Sequence, residues 1–364
     1  MTHTTHWQGW HKIRKRKWLS KITHVTEGSM RELLQKVPRF KEVPYAIAGE
    51  GENPHLNMIV RDRLKPHPGT LLPDTGNVQI PITTVSKKYQ LVQHQELLNA
   101  LASVMKNNGF DLDHLSAEMC LTEFGERMWF SFALPAHIFN LPTDSLFDPG
   151  DKRPLNLTVN ALNSVDKTTA LEINLTWYRI VCGNGMVYGD NIQFKEIHRT
   201  ETLDTAAIRT FLQNQLALSQ IEKEKEQLIK WFETKVYINR LSDAKPNREQ
   251  IEQWLEKHVS ETWNIYAAAR AFHIAKTGFD GQFINRTNKG KDVKYNDLTF
   301  SEKTKTQVPG AFAPVRNAYH ISQVLSWLAT QQNTVQKQLD WMADIPQLMR
   351  SLLTAETIKL TVDE

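Results

Sequence analysis

Cysteine is nearly absent from this chain of 364 residues: Cys120 and Cys182 are too few for a disulfide framework or a four-ligand zinc site. A reducing, cytoplasmic setting is therefore the expectation. Long apolar runs are missing too. No stretch approaches the roughly 20 residues needed to cross a bilayer, so no membrane partner is expected. The basic segment HKIRKRKWLSK near the N-terminus is followed by polar sequence, without the apolar stretch of a secretory signal. Acidic residues are missing from the start of the chain. No Asp or Glu precedes Glu27, whereas Lys12, Arg14, Lys15, Arg16, Lys17 and Lys21 cluster there. The net charge is only +4, so the distribution of charge says more than the total. A basic arm is attracted to phosphate, although the same arm also reads as a solvated terminus. Catalytic signatures are absent as well: there is no HExxH, no paired CxxC, no EF-hand loop and no P-loop. Nothing repeats at solenoid spacing.

What is present is ordinary globular composition, 40% hydrophobic and 23% charged, in a chain long enough to bury a substantial core. Three parts are expected. Residues 1–26 form a basic arm carrying Trp7, Trp10 and Trp18. Residues 27–200 form an α+β core, and residues 201–364 a helical part with a mobile basic loop near 277–311. Residues 27–80 read as irregular, with a short helix around Arg31 to Gln35. Strand-like sequence begins at NVQIPI and KKYQLVQ. From His94 the spacing of Leu97, Leu98, Leu101, Val104 and Met105 predicts a helix, ended by Asn107, Asn108 and Gly109.

Two hairpins are predicted next. The first pairs 116–123 with 127–134 around Phe124-Gly125-Glu126; the second pairs 155–162 with 169–176. In the second, Leu155, Leu157, Val159 and Ala161 alternate with Asn156, Thr158 and Asn160. Leu171, Ile173 and Leu175 alternate with Glu172, Asn174 and Thr176. Period-two alternation predicts a half-buried antiparallel sheet with one polar face. Beyond 203 the periodicity is helical to 240, again from near Pro246 to Ala275, and at 315–330 and 335–352. Trp231, Trp254, Trp263, Trp327 and Trp341 fall at helical positions and read as core anchors.

Candidate chemistry is sparse. Arg179, Cys182, Asn184 and Gly185 form the densest polar group. Arg179 suits a phosphate and Asn184 a base or sugar, while the glycines admit close backbone approach. The structural alternative is a Gly-Asn-Gly turn with Cys182 as a packing residue. A Cys182–His198 nucleophile pair needs only spatial proximity, but no protease signature surrounds it. Asp144, Asp148 and Asp151 share one loop, which reads as a solvated acidic stretch more readily than as a cation site. The aromatic–basic groups Lys87-Lys88-Tyr89 and Tyr178-Arg179 are the stronger signal. Single-stranded nucleic acid is held by cationic grooves with aromatic faces for stacking.

Three stretches together resemble the family known as domain of unknown function 932, over most of residues 80–330. They are VSKKYQLVQHQELLNAL, then TWYRIVCGNGMVYG followed by HRTETLD, and RNAYHISQVLSWLA. Gly183, Gly185-Met186 and the order His198-Arg199 depart from the family pattern. The resemblance implies a setting, prophages and plasmids, and not an activity. Hairpins crossed by a helix are also similar to the core of single-strand annealing recombinases, a likeness of fold and not of function.

The expected fold class is α+β: a small antiparallel sheet of two or more hairpins packed by helices, with a helical C-terminal part. The expected function is non-enzymatic binding or annealing of single-stranded DNA by a homo-oligomer from a mobile element, with no cofactor and no metal. Lys87, Lys88, Arg179, Arg199, Arg14 and Arg16 neutralise phosphates, Tyr89 and Tyr178 stack on bases, and Asn184 reads a base or sugar. The alternatives are a protein-interaction module in phage or plasmid defence or counter-defence, and an enzyme centred on Cys182 and His198.

Overall fold

The computed structural model describes residues 24–61, 79–135, 140–141, 155–178, 185–187, 193–196, 204–236, 250–285 and 293–354. The architecture is α+β, with small antiparallel sheets and helices gathered in the C-terminal part. Strand β1 (His24–Ser29) runs into a short helix, α1 (Met30–Leu34), through a capping box. The Ser29 hydroxyl accepts from the Glu32 amide, and the Glu32 carboxylate accepts from the Ser29 amide. Residues 24–26, expected in the basic arm, instead belong to β1, where His24, Val25 and Thr26 pair with Leu121, Cys120 and Met119. Val25 packs against the core, which ties this segment to the sheet.

The stretch 27–80, expected to be irregular, holds most of a three-stranded sheet. It is built from β2 (Phe40–Ile47), β3 (Gly51–Arg61) and β4 (Ile80–Ser86), in the order β2-β3-β4. Gly49 and Gly51 take positive φ at the β2–β3 turn. Pro44 and Pro81 hide the pattern from a sequence reader. They sit on β2 and β4, the two edge strands, where a missing N–H disturbs the ladder least.

Helix α2 (His94–Asn107) forms where its periodicity predicts. Leu97, Leu98, Leu101, Val104 and Met105 are all buried. Asn108 caps its C-terminus, and Gly109 follows at φ 80°.

The larger sheet has eight strands. It combines β1 with β5 (Ser116–Leu121), β6 (Arg127–Ala133), β7 (Asn140–Leu141), β8 (Leu155–Ser164), β9 (Leu171–Tyr178), β10 (Gly185–Val187) and β11 (Gln193–Glu196). Its main order is β1-β5-β6-β8-β9-β10, with β11 also on β9 and β7 on β8. Both predicted hairpins are present. Across one face the register aligns Ala117, Phe132, Val159 and Leu175, all buried. Each such large apolar side chain contributes about 1.5–3 kcal/mol.

The other face is polar, as the alternation predicts, but at these positions it is buried, so the sheet is not half-buried there. Glu118, Ser131, Asn160 and Asn174 align across four strands and are only 0%, 1%, 2% and 4% exposed. Alternation reports which residues share a face, not whether that face meets water. These polar groups stay buried because they have partners. Ser131 donates to Asn160 Oδ1 at 2.7 Å, and the Cys120 thiol donates to Glu118 at 2.9 Å.

Helices follow. The predicted run beyond 203 is broken at Leu216 and Ala217 into α3 (Thr205–Gln215), capped by Asp204, and α4 (Leu218–Glu233). Next come α5 (Gln250–Trp254), a π-helical turn at Leu255–Val259 and α6 (Ser260–Thr262). Helix α7 (Ile265–Thr277) starts afresh after Asn264, whose side chain accepts from the Ala267 amide at 2.9 Å. The 277–311 segment, expected as a loop, contains two ribbons. One pairs β12 (Phe279–Asp280) with β15 (Thr306–Gln307), and the other pairs β13 (Phe283–Asn285) with β14 (Leu298–Phe300). Helix α8 (Ala318–Thr330) is buried among α4, α7 and α9 (Val335–Thr354). Its serines and threonine stay satisfied within the helix; Ser322 donates to Tyr319 O and Ser326 to Ser322 O.

The tryptophans anchor this part as predicted. Trp231, Trp254 and Trp327 are buried, and Trp263 stacks on Trp341 with ring centroids 4.3 Å apart. One hydrophobic cluster runs from Met30 to Leu352, through the larger sheet and the helices alike. Among the described residues, no helix is long and apolar enough to cross a membrane.

Candidate nucleic-acid interface

The three-stranded sheet carries its own small core of Phe40, Ile59, Val85, Tyr89 and Val165. Val165 comes from the β8–β9 turn, so this turn of the larger sheet plugs the smaller one. Asp166 shapes that turn by accepting from the Thr168 amide and hydroxyl and from Arg127 Nε at 2.7 Å. Lys167 follows at φ 65° and reaches across to donate to the Thr84 carbonyl on β4.

Cations gather at the Arg61 end of β3 and beside His55 near its middle. Lys87 and Lys88 are exposed in the turn after β4, and the Lys87 amide donates to the His55 carbonyl. Arg61 ends β3 opposite Phe40, with Arg39 and Lys41 on either side of that partner. His55 and Arg61 are ~20 Å apart along the strand at ~3.3 Å per residue.

At the Arg61 end lies an open cleft of about 640 Å³ between β2 and the start of α2, lined by Arg39, Phe40, Lys41, Arg61, Gln93, Gln95 and Glu96. Gln93 closes its floor by pairing with the Phe40 backbone in both directions, at 2.8 and 3.1 Å. Glu96 accepts from the Gln93 amide and completes the helix cap. Arg61 is half-buried and donates through Nη1 to the Phe124 carbonyl. Burial lowers its pKa to about 10, against the opposing pull of Glu126, and it remains a cation at neutral pH. Neither Arg61 nor Arg39 makes an ion pair among the described residues.

The turn holding Phe124 is fixed in its own right. Asn163 donates to His94 Nδ1 at 2.9 Å, which leaves His94 Nε2 to donate to Gly125 O at 2.9 Å. Gly125 has φ 72°, and a Cβ there would stand 2.7 Å from Arg61 Nη1 and 2.9 Å from Pro38 Cγ. The absent side chain is what lets Arg61 lie against the turn.

The candidate residues read from sequence fare differently from one another. Lys87 and Lys88 are exposed, as phosphate contacts require. Tyr89, expected to stack on bases, is instead 7% exposed in the small core. Its ring faces are taken by packing, and burial first, with Asp166 and Glu42 nearby, raises its pKa to about 12. Tyr178 is in β9, but its side chain lies outside the described residues. Arg14, Arg16, Arg179, Asn184 and Arg199 also lie outside them, as do Cys182, His198, Asp144, Asp148 and Asp151. Among the described residues, no group of three or more His, Cys, Asp or Glu is placed to hold a metal ion. Arg39, Lys41, Arg61 and Lys167 were not legible as site residues. The available signal was the β-rich run Met58-Ile59-Val60 ending abruptly on Arg61.

Comparison with known families gives one match. The family described as domain of unknown function (DUF932) matches residues 81–296, more than half of the chain. The chain belongs to the DUF932 family. Searches of curated proteins and of solved structures find no match. The DUF932 segment takes in all but the first residue of β4, Lys87, Lys88, α2, strands β5 to β11 and the helices through α7. Strands β1 to β3 precede it. The cleft therefore straddles the DUF932 boundary: Gln93, Gln95 and Glu96 fall within it, whereas Arg39, Lys41 and Arg61 precede it.

Proposed function

We propose that this DUF932 chain binds single-stranded nucleic acid non-covalently, through the cationic margin of its three-stranded sheet. The observation that carries this reading is the concentration of Arg39, Lys41, Arg61, Lys87, Lys88 and Lys167 on or against that one sheet. Phosphate contacts beside His55 and at Arg61 span ~20 Å, a length of ~6 residues of extended strand. The backbone of a single strand can follow such a margin, because cations hold phosphates with no demand on base sequence. A prophage or plasmid setting, self-association and strand annealing belong to the same proposal. So do phosphate contacts by Arg14, Arg16, Arg179 and Arg199, base or sugar contact by Asn184, and stacking by Tyr178.

The test is fluorescence anisotropy of labelled single- and double-stranded DNA, titrated with the full chain at two salt concentrations. Binding that prefers the single strand and weakens steeply with salt supports the proposal. Absence of binding at low salt removes it, and a protein partner then becomes the reading to pursue.

A further inference from the structure

The Arg61 cleft differs from the rest of the cationic margin. Lys87 and Lys88 are exposed lysines that water already solvates. Arg61 has given up much of its hydration, holds one backbone carbonyl, and faces no carboxylate at ion-pair distance among the described residues. A desolvated cation with no carboxylate at ion-pair distance is costly, and the pKa is lowered even against the pull of Glu126. Arg39 stands beside it, exposed and also without an ion pair among the described residues. Of the residues lining the cleft, three are cationic and one, Glu96, is acidic, so the lining is net positive. The volume, about 640 Å³, suits a small organic ligand and exceeds what an isolated ion needs.

We propose that this cleft binds the phosphate monoester of a nucleotide. A monoester carries about two negative charges near neutral pH, with three terminal oxygens. That suits a net-positive lining, whereas an internal phosphodiester carries a single charge. Guanidinium groups grip such oxygens in pairs, so Arg61 supplies its remaining donors from the cleft wall and Arg39 closes from the rim. Lys41 adds charge, and the Gln95 amide is placed for the sugar or base. The site goes beyond strand binding along the sheet, since its ligand is either the phosphorylated end of a strand or a free nucleotide.

The experiment is calorimetric titration of the full chain with deoxyadenosine 5′-monophosphate and with deoxyadenosine. A second arm compares oligonucleotides of one sequence with a 5′-phosphate or a 5′-hydroxyl. The expected result is about tenfold or greater preference for the phosphorylated member of a pair, the effect of one or two charge-assisted hydrogen bonds. That preference is lost in Arg61→Gln and in Arg39→Gln. Arg39 is exposed, so its variant folds whether or not Arg61→Gln does. Preference in the nucleotide arm assigns a free ligand, and preference in the strand arm assigns a strand end. Equal binding of phosphorylated and unphosphorylated members in both arms overturns the cleft proposal while leaving strand binding intact. A preference that survives both variants overturns it as well.

Discussion

Gln93 stands in for a missing strand beside Phe40. Its side-chain oxygen accepts from the Phe40 amide at 3.1 Å, and its side-chain nitrogen donates to the Phe40 carbonyl at 2.8 Å. One side chain thus couples the small sheet to the start of α2 and sets the floor of the cleft. Gln93→Ala removes both bonds and leaves two backbone groups without protein partners, at a cost of about 1–3 kcal/mol. Gln93→Glu recovers less than wild-type stability, because a carboxylate cannot donate. Thermal unfolding of the three proteins orders them wild type, Glu, Ala; an Ala variant as stable as wild type removes the clamp.

Gly125→Ala tests the neighbouring turn. The new Cβ meets Pro38 and Arg61, and an L-residue is strained at φ 72°. The left-handed backbone alone costs about 1–2 kcal/mol. The expected outcome is lower stability together with weaker nucleotide binding, read by thermal melts and calorimetry on one preparation. Weaker melting with unchanged binding would detach the turn from Arg61.

Lys87→Gln and Lys88→Gln act beside His55, ~20 Å from Arg61 along β3. Both lysines are exposed, so stability is unchanged. Each substitution lowers the slope of log K against log salt by about 1 for single-strand binding. Slopes identical to wild type would place the strand elsewhere.

Tyr89 gives a spectroscopic check on the small core. Its phenol is held neutral by burial up to about pH 12. A raised phenol pKa stabilises the fold fully below the ordinary tyrosine range, near pH 10. That stability is lost as pH rises from there through the folded value, because the unfolded chain ionises first. Absorbance titration at alkaline pH is expected to show one tyrosine ionising late, and Tyr89→Phe to remove that late component.

Asp280 ties the β12–β15 ribbon to the helices. Its carboxylate accepts from Arg270 at 2.8 and 2.6 Å and from Trp327 Nε1 at 2.8 Å. Burial works to raise its pKa, but the Arg270 bonds and charge, with Trp327, outweigh it and the net shift is downward. A depressed carboxylate stabilises the fold above the ordinary carboxylate range and ceases to do so as pH falls through the folded value. Asp280→Asn strands Arg270 and is expected to cost about 3 kcal/mol near neutral pH. The difference from wild type narrows in acid, as measured by denaturant unfolding at both pH values.

The sequence was most informative where one periodicity ran unbroken. Leu97 to Met105 announced α2, and Met128, Phe130 and Phe132 announced β6, because each pattern maps directly onto one buried face. It failed at β2 and β3, where Pro44 and Pro54 conceal strands whose partners lie across the sheet. It failed again at Asn160 and Asn174. Their shared face was legible, but its burial depends on what packs over the sheet, which a local pattern does not contain. The cleft escaped for a similar reason. Arg39 and Arg61 lie far from Gln93 in sequence and meet it only once β2 is clamped to α2.

The prolines at positions 44 and 81 bear on how copies of the chain can associate. A bare strand edge is a template onto which another chain can add and propagate. Both margins of the small sheet are interrupted by a residue with no N–H to offer, so fibre-like growth is blunted from either side. The edges of the small sheet are thereby kept from seeding β-aggregation between copies of the chain.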